Sequence, residues 1–119
     1  MLIESGQSTA VQYMSNTVPI PSDKMDIAIC TAMAGEMLGL KLLYLEAGSG
    51  AKNSVPLPMI EQVKQNISIP LLAGGGLRTP DAAGKAAAAG ADIVVVGTAF
   101  ENDPALISEI ADAVHTISA

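Results

Sequence analysis

The run Leu71-Leu72-Ala73-Gly74-Gly75-Gly76-Leu77-Arg78-Thr79-Pro80 constrains the fold more than any other stretch, because a strand-like apolar pattern stops at three glycines and a helix start follows at once. The threonine oxygen can accept a free amide of the first helical turn, and proline at the first position forfeits an N–H that has no partner there anyway. Such a junction gathers bare backbone amides and the positive end of a helix at one point, which suits a phosphate. The design recurs one helix later in Ile93-Val94-Val95-Val96-Gly97-Thr98-Ala99-Phe100. Gly75, Gly76, Gly97 and Thr98 are therefore expected to surround one anion; the bland alternative is that these glycines only make tight turns.

Short apolar strands alternate with helical patterns along the chain, the habit of repeated βα units on a parallel sheet. Four units are expected in one domain: a truncated first unit over 1–39, then 40–67, 68–90 and 91–119. The first is a strand stub at 1–4 with a long polar connection, in which 11–14 reads as strand-like. Ser22 or Asp23 is the expected cap of the helix that carries Ala28, Ala32, Met33, Glu36 and Met37, and Gly39 its stop. The later strands are expected at 41–45, 69–73 and 92–96. A short helix with Met59, Ile60 and Val63 inward begins near Pro58, and a second runs from the Thr79 cap to Gly90. Its alanines let it lie close to the sheet. The last helix is capped by Asp103, opens at Pro104 and turns Leu106, Ile110, Ala113, Val114 and Ile117 inward.

At 119 residues the chain has about half the length that an eight-unit (βα)8 barrel of TIM type usually takes. The expected fold is accordingly α/β, the C-terminal half of such a barrel, a half-barrel of about four βα units with parallel strands. A net charge of −6 speaks against a nucleic-acid or anionic-membrane surface, so a phosphate has to be held by backbone amides rather than by a basic field. No apolar stretch approaches transmembrane length and residues 1–4 lack the pattern of a signal peptide, so a cytoplasmic location is expected.

The stretch Tyr44-Leu45-Glu46-Ala47-Gly48-Ser49-Gly50 places Tyr44 and Glu46 on one face of a strand. A carboxylate at a strand's carboxyl end is costly unless paired or used, so Glu46 is a candidate general base or hydroxyl binder, or else a rim carboxylate bonded to loop amides. Gly48, Ser49 and Gly50 add amides and a hydroxyl. Arg78 is placed either to screen a phosphate or to form a salt bridge at the rim. The single cysteine, Cys30, reads as a small core residue, and the single histidine, His115, as a charge near a helix end. Glu4 is too near the start of the chain to assign.

With Tyr44 to Ala51, Gly74-Gly75-Gly76-Leu77-Arg78 and Gly97-Thr98 in this order, the sequence resembles the geranylgeranylglyceryl phosphate synthases over nearly its whole length. That resemblance implies a barrel prenyltransferase that joins geranylgeranyl diphosphate to sn-glycerol 1-phosphate in ether lipid synthesis. Carried over by position, Tyr44 and Glu46 would be catalytic, meeting the glycerol hydroxyls with Glu46 as base. The substrate-binding set would be Tyr44, Leu45, Glu46, Ala47, Gly48, Ser49, Gly50, Gly75, Gly76, Gly97 and Thr98. In the family Mg²⁺ assists loss of the diphosphate. Its acidic ligands belong to the amino-terminal half, so no metal site and no bound cofactor are expected in this chain alone.

The expected activity is therefore acceptor binding without unaided catalysis, and the expected partners are sn-glycerol 1-phosphate, phosphate or sulfate. Unpaired strand edges and an open apolar face also predict self-association or a complementary half-barrel. The alternatives are a non-catalytic phosphate-binding or scaffold module, and a piece of another phosphate-binding barrel such as a thiazole synthase or sugar-phosphate isomerase.

Overall fold

The computed structural model describes residues 1–118 and is an α/β fold built on one parallel sheet. Strands β1 (Leu43–Glu46), β2 (Leu71–Gly74) and β3 (Ile93–Val95) lie in chain order, each joined to the next through a helix. Helices α3 (Leu57–Gln65) and α4 (Pro80–Ala88) make these two crossovers. The stub at the start of the chain continues the sheet on the other side of β1: Leu2 bridges Glu46 in parallel, and the Ile3 amide donates to the Glu46 carbonyl at 2.8 Å.

Pairing begins later than the apolar runs do. Pro70 has no N–H to donate, so the ladder opens with the Leu43 amide on the Pro70 carbonyl at 2.9 Å, and regular pairing follows from Leu71. At the far end the ladder runs into Gly74, because backbone pairing needs no side chain. Asp92 starts β3 by standing in for a strand residue. Its Oδ2 accepts the Leu71 amide and Lys64 Nζ, both at 2.7 Å. Burial alone would raise that carboxyl, but these donors hold it below the usual carboxylate range.

Alternation then separates the two faces. Leu43, Leu45, Leu71 and Ala73 form one core with Met59, Ile60 and Val63 of α3 and with Ala28 and Ala32 of α2 (Met25–Met37). The register puts Tyr44, Glu46, Leu72, Gly74, Ile93 and Val95 on the opposite face. Ile93 there is 48% exposed although it sits in a strand, so this face is open.

Helix boundaries follow local chemistry. Thr79 accepts the Ala82 amide at 3.2 Å with Pro80 in the first turn, and α4 closes by Gly90 and Ala91 amides bonding back to Ala87 and Ala86. Ala83 and Ala86 of α4 are fully buried, as the small-residue reading requires. Helix α4 also lies against α6 (Leu106–Ser118) where Gly84 faces Ala113; a Cβ at Gly84 would stand 3.5 Å from the Ala113 carbonyl oxygen, an ordinary contact. Gly84→Ala is accordingly expected to stabilise the fold by about 0.5–1 kcal/mol, read as a rise in melting temperature. A fall would show that the α4–α6 contact has no room.

Several local expectations are corrected. Residues 11–14 are not strand-like but belong to helix α1 (Ala10–Ser15), because Ile20 already fills the edge beside the stub, exchanging bonds with Leu2 and Glu4 at 2.9 Å each. With no edge left, the segment closes on itself and stops at Asn16, at φ 50°. Neither Ser22 nor Asp23 caps α2: the helix follows Lys24, and the Ser22 amide and hydroxyl go to Glu4 at 3.3 Å.

Cys30 is exposed rather than in the core. Asp103 and Pro104 precede α6 in a turn, where Asp103 accepts the Ala105 amide at 3.1 Å, and an additional helix, α5 (Thr98–Asn102), stands directly after β3. Ile110 is buried as expected, whereas Ile117 is 49% exposed.

Candidate functional site

The carboxyl ends of the three strands open on a cavity of about 210 Å³. Its wall contains Tyr44 and Glu46 from β1, Ser49 and Gly50 from the following loop, Gly75 and Gly76 after β2, and Gly97 and Thr98 after β3. Leu77, Arg78, Val95, Val96 and Ala99 complete it. Three strand ends thus converge on one hollow at the end of a parallel sheet where ligands generally bind.

The loops meet directly. The Ser49 and Thr98 hydroxyls stand 3.4 Å apart, linking the first and third junctions. Gly75, at φ 86°, lies so close to the first loop that a Cβ on it would sit 2.6 Å from the Gly48 nitrogen and 2.7 Å from its oxygen. At Gly76, φ 72°, an added Cβ would stand 3.1 Å from the Ser54 nitrogen and 3.2 Å from the Ala51 oxygen, a tight fit. No L side chain adopts either backbone conformation at ease, and at Gly75 there is no space for one either. The glycines therefore do more than turn the chain: they let two loops share one wall.

Tyr44 lies across Gly74, where an added Cβ would stand 2.5 Å from the phenol oxygen. Burial pushes the Tyr44 hydroxyl well above its usual range, and the neighbouring Glu46 carboxylate pushes it further. It therefore stays protonated at physiological pH and acts as a donor. Glu46 is half-buried and its Oε1 accepts the Gly48 amide at 2.6 Å. The carboxylate is thus fixed by a loop amide, and with Tyr44 it lines the cavity.

Not every residue of the motif points into the hollow. Leu45 and Ala47 are fully buried on the helix-facing side, as alternation demands for the neighbours of Tyr44 and Glu46. Gly48 is buried too, with Thr9 against it, and its amide is taken by Glu46. The hollow itself is formed by Tyr44, Glu46, Ser49, Gly50, Gly75, Gly76, Gly97 and Thr98. Glu4, His115 and Cys30 stand apart from it. Arg78 lines it, and among the described residues it forms no salt bridge.

Mg²⁺ does not fit this wall. Among the described residues no three His, Cys, Asp or Glu side chains are grouped to hold a metal ion, and the Glu46 carboxylate already accepts the Gly48 amide.

Comparison with known proteins points to one family. The model of the PcrB family matches residues 1–116. The geranylgeranylglyceryl phosphate synthase of Chitinophaga pinensis is 54% identical over 115 residues, which are 97% of this chain and 46% of that protein. Wild-type GGGPS from Thermoplasma volcanium superposes with a TM-score of 0.88 at 33% identity, covering 97% of this chain and 47% of the other.

The (S)-3-O-geranylgeranylglyceryl phosphate synthase of Thermoplasma acidophilum, solved in complex with its substrate sn-glycerol-1-phosphate, superposes at 0.86 with 35% identity, covering 98% and 46%. The chain spans about half the length of the curated relatives it matches.

Proposed function

This chain belongs to the PcrB family, and on that footing we propose that it is the sn-glycerol 1-phosphate-binding half-barrel of a prenyltransferase that makes geranylgeranylglyceryl phosphate. The observation that carries the reading is the convergence of Ser49, Gly50, Gly75, Gly76, Gly97 and Thr98 around one small hollow with Tyr44 and Glu46 on its floor. The glycine and hydroxyl rim takes the phosphate through backbone amides, which an acidic chain of net charge −6 needs in place of a basic field. The glycerol hydroxyls turn toward the strand end. In a complete enzyme Tyr44 would orient the attacking hydroxyl and Glu46 would accept its proton, as the hydroxyl oxygen bonds to the allylic carbon of the prenyl diphosphate and that carbon's bond to the diphosphate breaks, releasing diphosphate.

Leu45, Ala47 and Gly48 support this site from behind: their side-chain positions are in the core, and Gly48 fixes the Glu46 carboxylate. Among the described residues no three His, Cys, Asp or Glu side chains are grouped to hold the Mg²⁺ that the family resemblance implies. On that resemblance the metal and the prenyl diphosphate would be held with the help of further βα units. The open sheet face and the edge of β3 support association, with a second copy or with complementary units, as the means of covering exposed Leu42 and Ile93. No helix among the described residues is long and apolar enough to cross a membrane.

The reading is tested by incubating the chain with sn-glycerol 1-phosphate, geranylgeranyl diphosphate and Mg²⁺. The expected result is binding of the glycerol phosphate, seen as protection against thermal unfolding, with no prenylated product. Product formed by this chain alone would overturn the binding-only role, and absence of protection would overturn the acceptor site itself.

A further inference from the structure

Among the described residues Arg78 is the one cation in the cavity wall, and its guanidinium bonds to backbone rather than to an acid. Its Nη2 donates to the Ala51 carbonyl at 2.5 Å and its Nη1 to the Gly76 carbonyl at 3.3 Å. These carbonyls belong to different loops, one after β1 and one after β2. The same loops are in backbone contact at Gly75 on Gly48 and at Gly76 on Ser54. Gln7 assists from a third segment, with its Nε2 on the Gly50 carbonyl at 3.2 Å.

Each peptide plane is rigid, so holding a carbonyl also fixes the amide that shares its plane: Lys52 follows Ala51, and Leu77 follows Gly76. A planar guanidinium can hold two carbonyls in one fixed geometry, whereas a lysine ammonium is a point charge on a flexible stem.

We propose that Arg78 is a positioning residue for the phosphate site: it clamps the 48–54 loop to the 74–77 turn and so sets the wall against which the anion binds. This role rests on the phosphate-site reading and deepens it. The charge remains at the cavity, but affinity depends on the two-point clamp, which Lys cannot reproduce.

The test is calorimetric titration of the 119-residue chain with inorganic phosphate and with sn-glycerol 1-phosphate, for the unmodified protein, Arg78→Lys and Arg78→Gln. Circular dichroism identifies the folded samples, and ¹H–¹⁵N spectra are recorded before ligand is added. Arg78→Lys is expected to bind both probes about tenfold or more weakly, the scale of one lost charge-assisted hydrogen bond, with the Lys52 and Leu77 amides displaced in the free protein. Arg78→Gln, which keeps a neutral donor for one carbonyl, is expected to lose at least as much, and it carries the test should the lysine variant fail to fold.

Wild-type affinity in a folded Arg78→Lys overturns the clamp while leaving the phosphate site standing. Weakened binding with unmoved amides also overturns it, because the guanidinium then touches the anion directly. Uptake of neither probe by the unmodified chain removes the phosphate site, and the role of Arg78 with it.

Discussion

Gly75→Val is expected to abolish measurable binding of sn-glycerol 1-phosphate, a loss of about a hundredfold or more, corresponding to about 3 kcal/mol. Two costs act together. At φ 86° a β-branched residue sits in a backbone region that L side chains avoid, and its Cβ would stand 2.6 Å from the Gly48 nitrogen and 2.7 Å from its oxygen. Those are backbone atoms, which cannot swing aside as a flexible side chain would. Relief requires the two loops to part, and the shared wall goes with them.

Gly39→Val separates strain from site. Gly39 has φ 87° with nothing within 4 Å of an added Cβ, so this control bears the backbone strain far from the cavity. It is expected to lower the melting temperature and leave affinity intact. Equal affinity in folded Gly75→Val and in the unmodified chain would mean that the phosphate is bound elsewhere.

Leu71→Ala is expected to destabilise the fold by about 2–5 kcal/mol, a large share of the roughly 5–15 kcal/mol that holds a domain of this size. Leu71 is fully buried in the central strand, and its backbone serves both neighbouring strands: β1 by register and β3 through Asp92. Leu72 is the comparison, one residue along on the open face and only partly buried. Leu72→Ala is expected to cost about 1 kcal/mol or less, since less apolar area leaves water when it folds. Chemical denaturation of the two variants measures the difference. Equal losses would show that the face carrying Tyr44 and Glu46 is as closely covered as the core.

Much of the site was legible in the sequence because glycine placement and alternation are local properties. A strand that runs into three glycines and a Thr-Pro helix start reads locally as a strand-to-helix turn with bare amides, and the structure puts Gly75, Gly76, Gly97 and Thr98 on one wall. The ends of α4 were legible for the same reason, since Thr79 and Gly90 act on their own neighbours.

What escaped the sequence depends on partners distant in the chain. Residues 11–14 have strand-like composition, but Ile20 reaches the available edge first. Ser22 would serve as a helix cap had Glu4 not claimed its hydroxyl. Cys30 was assigned to the core on residue type, while only Ala28 and Ala32 of that helix are fully buried. The motif from Tyr44 to Gly50 reads as one contiguous binding block, yet alternation puts Leu45 and Ala47 behind it, and the reach of Glu46 back to Gly48 shows only in three dimensions. Arg78 left two readings open, anion or salt bridge; among the described residues it forms no salt bridge, and its hydrogen bonds go to two carbonyls brought together by the fold.

The most direct measurement of the central claim is calorimetric titration of the unmodified chain with sn-glycerol 1-phosphate and with its mirror image, sn-glycerol 3-phosphate. A phosphate cradle with Tyr44 and Glu46 beneath it predicts saturable one-site binding of the first, competed by inorganic phosphate, and weaker binding of the second, whose hydroxyls meet that pair in the wrong hand. No saturable heat with either ester, or identical affinity for both, would contradict it.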